Sequence, residues 1–255
     1  MKLSVIMPVF NEKDTIREVI KRVLSVDVSP LGLERELVVV DDGSTDGTRE
    51  LLKQYQESSV KSQVDAEPAG LTHDARPARA THDDIKVIFH EKNRGKGAAL
   101  RTGFEGATGD ILLIQDADLE LDPEEQPMLI APIIEGKTKV VFGSRFRKKI
   151  NTINPATLAA NKIFTFFANL LYRAGITDVM NCYKVMHREV IGKIKLRSDK
   201  FDVEPELAAK ICKNGYKIYE VPVSYNPRKF SKGKKIRFSD SFPVLWALFK
   251  YRFID

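Results

Sequence analysis

Short apolar runs recur along this chain, and they are continuous rather than alternating. Residues 3–9, 36–40 and 111–115 read this way, and 86–90 and 140–142 are similar. A strand that is apolar at nearly every position is buried on both faces, as in a parallel sheet covered by helices on each side. Helical spacing falls between the runs. Residues 13–24 set Ile16, Val19, Ile20, Val23 and Leu24 on one face, and 48–56 and 97–107 form the next two candidate helices. The alternation predicts an α/β fold, a single Rossmann-like, open, mostly parallel sheet with helices on both faces. Ligands of such sheets bind beyond the carboxyl ends of the strands. The residues that follow each run therefore carry the functional reading.

Composition narrows the classes. The 255 residues include 41 Lys and Arg against 35 Asp and Glu, a formal net charge of +6, with 43% hydrophobic residues. That balance fits a chain with a substantial core and argues against disorder throughout. Cys182 and Cys212 cannot build a disulfide framework, and their spacing matches no zinc motif. A reducing, cytoplasmic setting is expected. The first nine residues lack the features of a signal peptide, and no apolar run approaches the ~20 residues that span a bilayer.

Residues 58–84 are polar and without period, and are expected to be a mobile insertion in a domain covering 1–237. His73 and His82 lie there and His90 just beyond, but no metal-ligand spacing joins them. Residues 228–237 carry six basic residues in ten and run into 239–253, where Phe242, Leu245, Trp246 and Phe249 share a helical face. Residues 161–171 are similarly apolar, with Asn161, Lys162, Thr165 and Asn169 near one side. Both segments read either as core helices or as amphipathic helices in a membrane interface, 238–255 forming a C-terminal amphipathic segment. Nucleic-acid binding is not expected, because the aromatics lie on helical faces rather than among the basic residues.

Four strand ends carry polar chemistry. Asp116-Ala117-Asp118 follows 111–115, and two carboxylates one residue apart suit Mg²⁺ or Mn²⁺, which prefer hard oxygen ligands. Asp41-Asp42-Gly43-Ser44 follows 36–40, where a carboxylate could accept from a base or ribose, or where the four residues could simply form a turn and a cap. Pro8-Val9-Phe10-Asn11-Glu12 closes the first strand. Asn93-Arg94-Gly95-Lys96-Gly97-Ala98-Ala99 opens a helix, a good place for an anion, although it is neither a P-loop nor a dinucleotide fingerprint.

In this order and spacing PVFNE, DDGSTDGT, NRGKGAA, DADLE and FGSRF resemble the family-2 inverting glycosyltransferases of the GT-A fold. Within that family the chain is most similar to the dolichyl-phosphate mannosyltransferase and polyprenyl-phosphate glycosyltransferase group. The resemblance implies a nucleotide-sugar pocket bordered by Pro8, Asn11, Glu12, Asp41, Asp42, Ser44, Lys96 and Ala117. It implies Mg²⁺ or Mn²⁺ held by Asp116 and Asp118, with Glu120 where relatives often have Gln. It implies Ser144 and Arg145 near the donor or acceptor phosphate, and Arg228, Ser231 and Lys232 gripping phosphate. Asp178 stands where many relatives have an Asp before a Ser-Gly-Phe turn, which is absent here.

The implied reaction displaces a nucleoside diphosphate from an anomeric carbon, with GDP-mannose or UDP-glucose as the type of donor. Asp118, Arg145 and Asp178 are the expected catalytic residues. A polyprenyl or dolichyl phosphate acceptor is already ionised; a sugar hydroxyl would need a base, for which Asp178 is the candidate. The lipid-phosphate reading implies a peripheral protein at a membrane surface, and a homo-oligomer is left open. The rival readings are a soluble transferase acting on a glycan hydroxyl and a non-catalytic nucleotide-sugar-binding protein.

Overall fold

The structure is a computed structural model that describes residues 1–64, 85–148, 154–228 and 241–254. At its centre β1 (Lys2–Val9) lies between β2 (Glu34–Asp41) and β4 (Ile111–Ile114), parallel to both. β3 (Ile85–Phe89) extends the parallel set beyond β2. On the other side come β6 (Lys184–His187), β5 (Val140–Ser144) and β7 (Tyr219–Pro222). Among the described residues the order is β3-β2-β1-β4-β6-β5-β7, with β6 antiparallel to both of its neighbours.

Alternation within each strand feeds two cores, so continuous apolar runs were the right signal for a sheet covered on both sides. Val5, Met7, Leu37, Val39 and Leu113 face α1 (Ile16–Ser25), α2 (Thr48–Val64) and α4 (Gln126–Ile134). Ile6, Val38, Val40, Leu112 and Phe142 face the opposite layer. That layer holds α3 (Lys96–Gly106), α5 (Pro155–Tyr172), α7 (Val203–Lys213) and α8 (Ser241–Phe253), while α6 (Arg188–Gly192) is a short turn after β6.

Some boundaries differ from the sequence reading. α1 begins at Ile16 rather than residue 13, because Thr15 and Ile16 donate backbone bonds to the Glu12 carbonyl in a turn. α2 runs to Val64, into the segment read as an insertion, of which residues 65–84 lie outside the described ones. α5 begins at Pro155, capped by Asn154, whose side chain accepts from the Ala156 amide. Ser231, Lys232 and most of the basic run also lie outside the described residues.

The two amphipathic segments behave differently. α8 buries Val244, Ala247, Leu248 and Tyr251 against α5 and α7 and turns Phe242 and Trp246 outward. α5 is inverted. Its polar Asn161 and Thr165 face inward, while Ile163, Phe166 and Leu170 are 50%, 60% and 62% exposed. Phe167 joins the two helices, 5.2 Å from the Phe249 ring. Among the described residues no helix is long and apolar enough to cross a membrane.

Candidate active site

The carboxyl ends of β1, β2, β4 and β5 open on one cleft. Its first wall is a laced pair of loops. The Asn11 amide donates to Ser44 Oγ (2.9 Å), the Thr45 amide donates to Asn11 Oδ1 (2.9 Å), and the Glu12 amide donates to Thr48 Oγ1 (2.9 Å). Asn11 holds φ +52°, a conformation that asparagine tolerates better than most side chains. Gly43 has φ +75°, and a Cβ there would meet the Lys92 backbone at 2.4 Å, so this glycine is required both by its conformation and by its neighbour.

The two aspartates after β2 are bound to the protein. Asp41 accepts from the Ser44 amide (3.2 Å) and Arg49 Nε (2.8 Å). Asp42 accepts from the Arg94 and Gly95 amides (2.9 and 2.7 Å) and lies 2.7 Å from His90 Nδ1. His90 then contacts Thr102 Oγ1 at 2.9 Å. The expected anion site at the start of α3 is already filled, because the Gly97 and Ala98 amides donate to the Asp199 carbonyl (2.7 and 3.2 Å). Backbone from another part of the chain thus takes the place of an anion.

Lys96 projects from that helix start into the acidic side of the cleft. Its Nζ lies 2.8 Å from Asp116 Oδ1 and 2.9 Å from Glu204 Oε1. Burial would raise the Asp116 carboxyl, but Lys96 outweighs it and holds the group below the usual carboxylate range. Burial also acts on Asp118, and there Asp116 and Glu120 add to it, pushing the carboxyl up to about 7 against the pull of Arg228. Arg228 reaches 2.9 Å from Glu12 Oε2 and 3.1 Å from Asp118 Oδ2. Glu120 accepts from the Tyr225 hydroxyl (3.0 Å) and the Arg228 amide (2.9 Å), which ties the segment after β7 across the cleft.

At the end of β5, Arg145 and Asp178 form a two-pronged ion pair, Nε to Oδ2 at 2.7 Å and Nη2 to Oδ1 at 2.8 Å. The Arg145 amide adds a third bond and Asn161 Nδ2 a fourth, at 3.1 and 2.6 Å. Burial would raise Asp178, but Arg145 more than offsets it and lowers the carboxyl. A buried, low-pKa carboxylate with both oxygens engaged is a poor proton acceptor, so a general-base role for Asp178 does not fit this geometry. Arg145 stacks 4.9 Å over the Tyr225 ring. Ser144 Oγ, fully buried, contacts Thr177 Oγ1 at 2.6 Å.

Residues 4–195 match the family model described as glycosyl transferase family 2. The chain belongs to this family. It carries a glycosyltransferase domain. A relative, the dolichol-phosphate mannosyltransferase of Pyrococcus furiosus, is 30% identical over 239 residues, 92% of this chain. The match covers 59% of that protein, so this glycosyltransferase spans about three-fifths of its relative's length. Among solved structures, glucosyl-3-phosphoglycerate synthase from Mycobacterium tuberculosis with Mn²⁺, UDP and phosphoglyceric acid superposes with a TM-score of 0.66 at 20% identity, covering 100% of this chain and 79% of that one. The same enzyme with Mg²⁺ and UDP gives 0.61 at 20% identity, covering 100% and 80%. At such identity the likeness establishes the fold, which is GT-A.

In this glycosyltransferase the cleft brings together Asn11, Glu12, Ser44, Lys96, Asp116, Asp118, Glu120, Arg145, Asp178 and Arg228 from elements far apart in sequence. Among the described residues, Asp116, Asp118 and Glu120 outnumber the two cations that pair with them there, Lys96 and Arg228. That excess of hard oxygen ligands fits a divalent cation. Glu120 faces the 225–228 segment in this arrangement. Among the described residues no three His, Cys, Asp or Glu groups form a ready cation cage.

Sequence reasoning missed Tyr225 as the bridge between Arg145 and Glu120, His90 as the partner of Asp42, and Lys184 as the partner of Glu204. His90 follows β3 as Asp41 ends β2, a strand-end position that could have drawn attention to it. Lys184, a lysine opening a short apolar run, carried only a faint signal.

Proposed function

We propose that this glycosyltransferase moves a hexose from a nucleoside diphosphate sugar to a polyprenyl or dolichyl phosphate at a membrane surface, using Mg²⁺ or Mn²⁺. One observation carries the reading. α5 supplies Asn161 to the Arg145–Asp178 pair on its inner face and turns Ile163, Phe166 and Leu170 outward, and α8, packed against α5, exposes Phe242 and Trp246. An arginine held for phosphate thus sits beneath an apolar surface suited to an interfacial position. The relative from Pyrococcus furiosus, named for dolichol phosphate, supports the same acceptor class.

In the proposed reaction the bond from the anomeric carbon to the diphosphate oxygen breaks. A bond to an acceptor phosphate oxygen forms on the opposite face, inverting the centre. Asp116 and Asp118 would hold the cation, which would supply positive charge to the leaving diphosphate. Arg228 lies beside Asp118, where it can add positive charge to the donor phosphates. Arg145 offers planar, two-pronged binding to the acceptor phosphate, and we read Asp178 as the residue that orients it. An ionised phosphate needs no general base, which agrees with the engagement of both Asp178 oxygens.

The test is transfer of labelled hexose from UDP- and GDP-sugars, with Mn²⁺, to polyprenyl phosphate in vesicles and to hydroxyl acceptors in solution. Transfer to the lipid phosphate alone is expected. Transfer only to hydroxyl acceptors would replace this reading with that of a soluble glycan-modifying enzyme.

A further inference from the structure

The ion pair between Asp116 and Lys96 is the outer end of a longer chain of charges. Lys96 is shared between Asp116 in the cleft and Glu204 at the start of α7. Glu204 is in turn paired with Lys184 on β6. Lys184 is fully buried, donates to the Asn181 carbonyl and lies 4.8 Å over the Phe142 ring. Negative and positive groups therefore alternate from the cleft to the interior, as Asp116, Lys96, Glu204 and Lys184.

Lys96 does not treat its two carboxylates alike. It donates an aligned hydrogen bond to Asp116 Oδ2 at 3.0 Å. Glu204 Oε1 accepts no aligned hydrogen bond among the described residues, although the ammonium stands 2.9 Å away. The backbone around Lys96 is pinned by the Gly95 amide to Asp42 and the Gly97 amide to the Asp199 carbonyl. Any shift of the ammonium is thus a side-chain movement. One ammonium between two carboxylates moves toward the less compensated of them, and in a buried setting such pairs interact strongly.

We propose that Glu204 and Lys184 are positioning residues that set how much of the Asp116 charge is left free for a divalent cation. Glu204 draws Lys96 away from Asp116, and Lys184 limits that pull by neutralising part of Glu204. The inference rests on the reading of Asp116 as a cation ligand.

The relay has a signature that a purely structural role lacks. Removing the Lys184 charge strengthens the hold of Glu204 on Lys96, frees Asp116 and tightens cation binding. Removing the Glu204 charge as well leaves Lys96 wholly to Asp116 and weakens it. Loosened packing would instead weaken binding in both variants.

The experiment measures Mn²⁺ binding to the full chain by electron paramagnetic resonance, without donor, at fixed pH and salt. The variants are Lys184→Met and the double variant Lys184→Met/Glu204→Gln, which avoids a buried lysine without its carboxylate. Lys184→Gln, which keeps a donor for the Asn181 carbonyl, replaces Lys184→Met if thermal melting shows that variant unfolded. The single variant is expected to bind about three- to tenfold more tightly than wild type, and the double variant about three- to tenfold more weakly. Shifts in the same direction, or both within about twofold of wild type, overturn the relay. Wild-type binding abolished by Asp116→Asn but unmoved in these variants overturns the relay alone. Absence of Mn²⁺ binding in wild type overturns the relay and the cation reading together.

Discussion

Arg145 and Asp178 meet through two parallel bonds of 2.7 and 2.8 Å, with the aspartate fully buried and the arginine nearly so. Thirty-three residues of chain separate them, yet their fork geometry fixes the guanidinium plane at the end of β5.

Asp178→Asn is therefore expected to act on stability and acceptor binding rather than on proton transfer. Loss of one partner of a buried pair costs about 3–5 kcal/mol. Denaturant titration should register that loss. The KM for the acceptor phosphate should rise more than kcat falls, and the acid limb of the kcat profile should stay where it is in wild type. A collapse of kcat with unchanged stability would restore Asp178 as a base.

Asp118→Asn removes a carboxylate from the proposed cation pair while keeping its size. Turnover is expected to fall about 10²–10³-fold, the effect of losing a preorganised electrostatic contact at a leaving group. Assays at saturating donor and increasing Mn²⁺ check this, and wild-type turnover would remove Asp118 from the site.

Glu36 gives a pH test independent of catalysis. Burial would raise its carboxyl, but hydrogen bonds from Lys2, Ser4 and Thr108 prevail and bring it from 4.5 to about 2. A depressed carboxylate stabilises the fold above its unfolded pKa, and that stability is lost as pH falls through the folded value. Glu36→Gln should cost on the order of 1 kcal/mol at neutral pH after allowing for solvent screening. The deficit should shrink as pH drops from 4.5 to about 2. Thermal melts across that range decide it, since a constant deficit would assign the effect to packing.

Phe166→Asp and Trp246→Asp test the membrane face. Both side chains are about 60% exposed, so the melting temperature should barely change. Losing the insertion of one large aromatic should weaken partition into anionic vesicles about tenfold or more. Pelleting reads this out for both variants, and the fluorescence of Trp246, the single tryptophan, gives a second signal for Phe166→Asp. Undiminished pelleting of both variants would locate the membrane contact elsewhere.

Gly97→Ala probes the crossing of backbone over the start of α3. A Cβ there would stand 2.1 Å from the Ser198 carbonyl oxygen. The loop must shift or the helix must move, at a cost of about 1–3 kcal/mol. Donor affinity should fall with stability because Lys96 is the adjacent residue. Unchanged melting would mean that the 198–199 loop gives way freely.

The sequence alone determined the parallel strands β1 to β4 and the helices α1 to α3 between them, because burial on both faces writes itself into continuous apolar runs. It also located the acidic clusters, since strand ends are marked by where those runs stop. β6 and β7 escaped notice because polar residues interrupt such short runs, Lys184 and His187 in β6 and Glu220 in β7. Other choices belong to the tertiary structure. Periodicity showed that α5 has a polar face but not that this face turns inward, where Asn161 meets Asp178 and Thr165 caps the Val179 amide. Motif spacing set Asp116 beside Asp118, but only the fold gave one to Lys96 and the other to Arg228, which lies 110 residues away in the chain. A local pattern records how polar a face is. Which charge neutralises which depends on distances that arise only when separate strand ends converge on the same cleft.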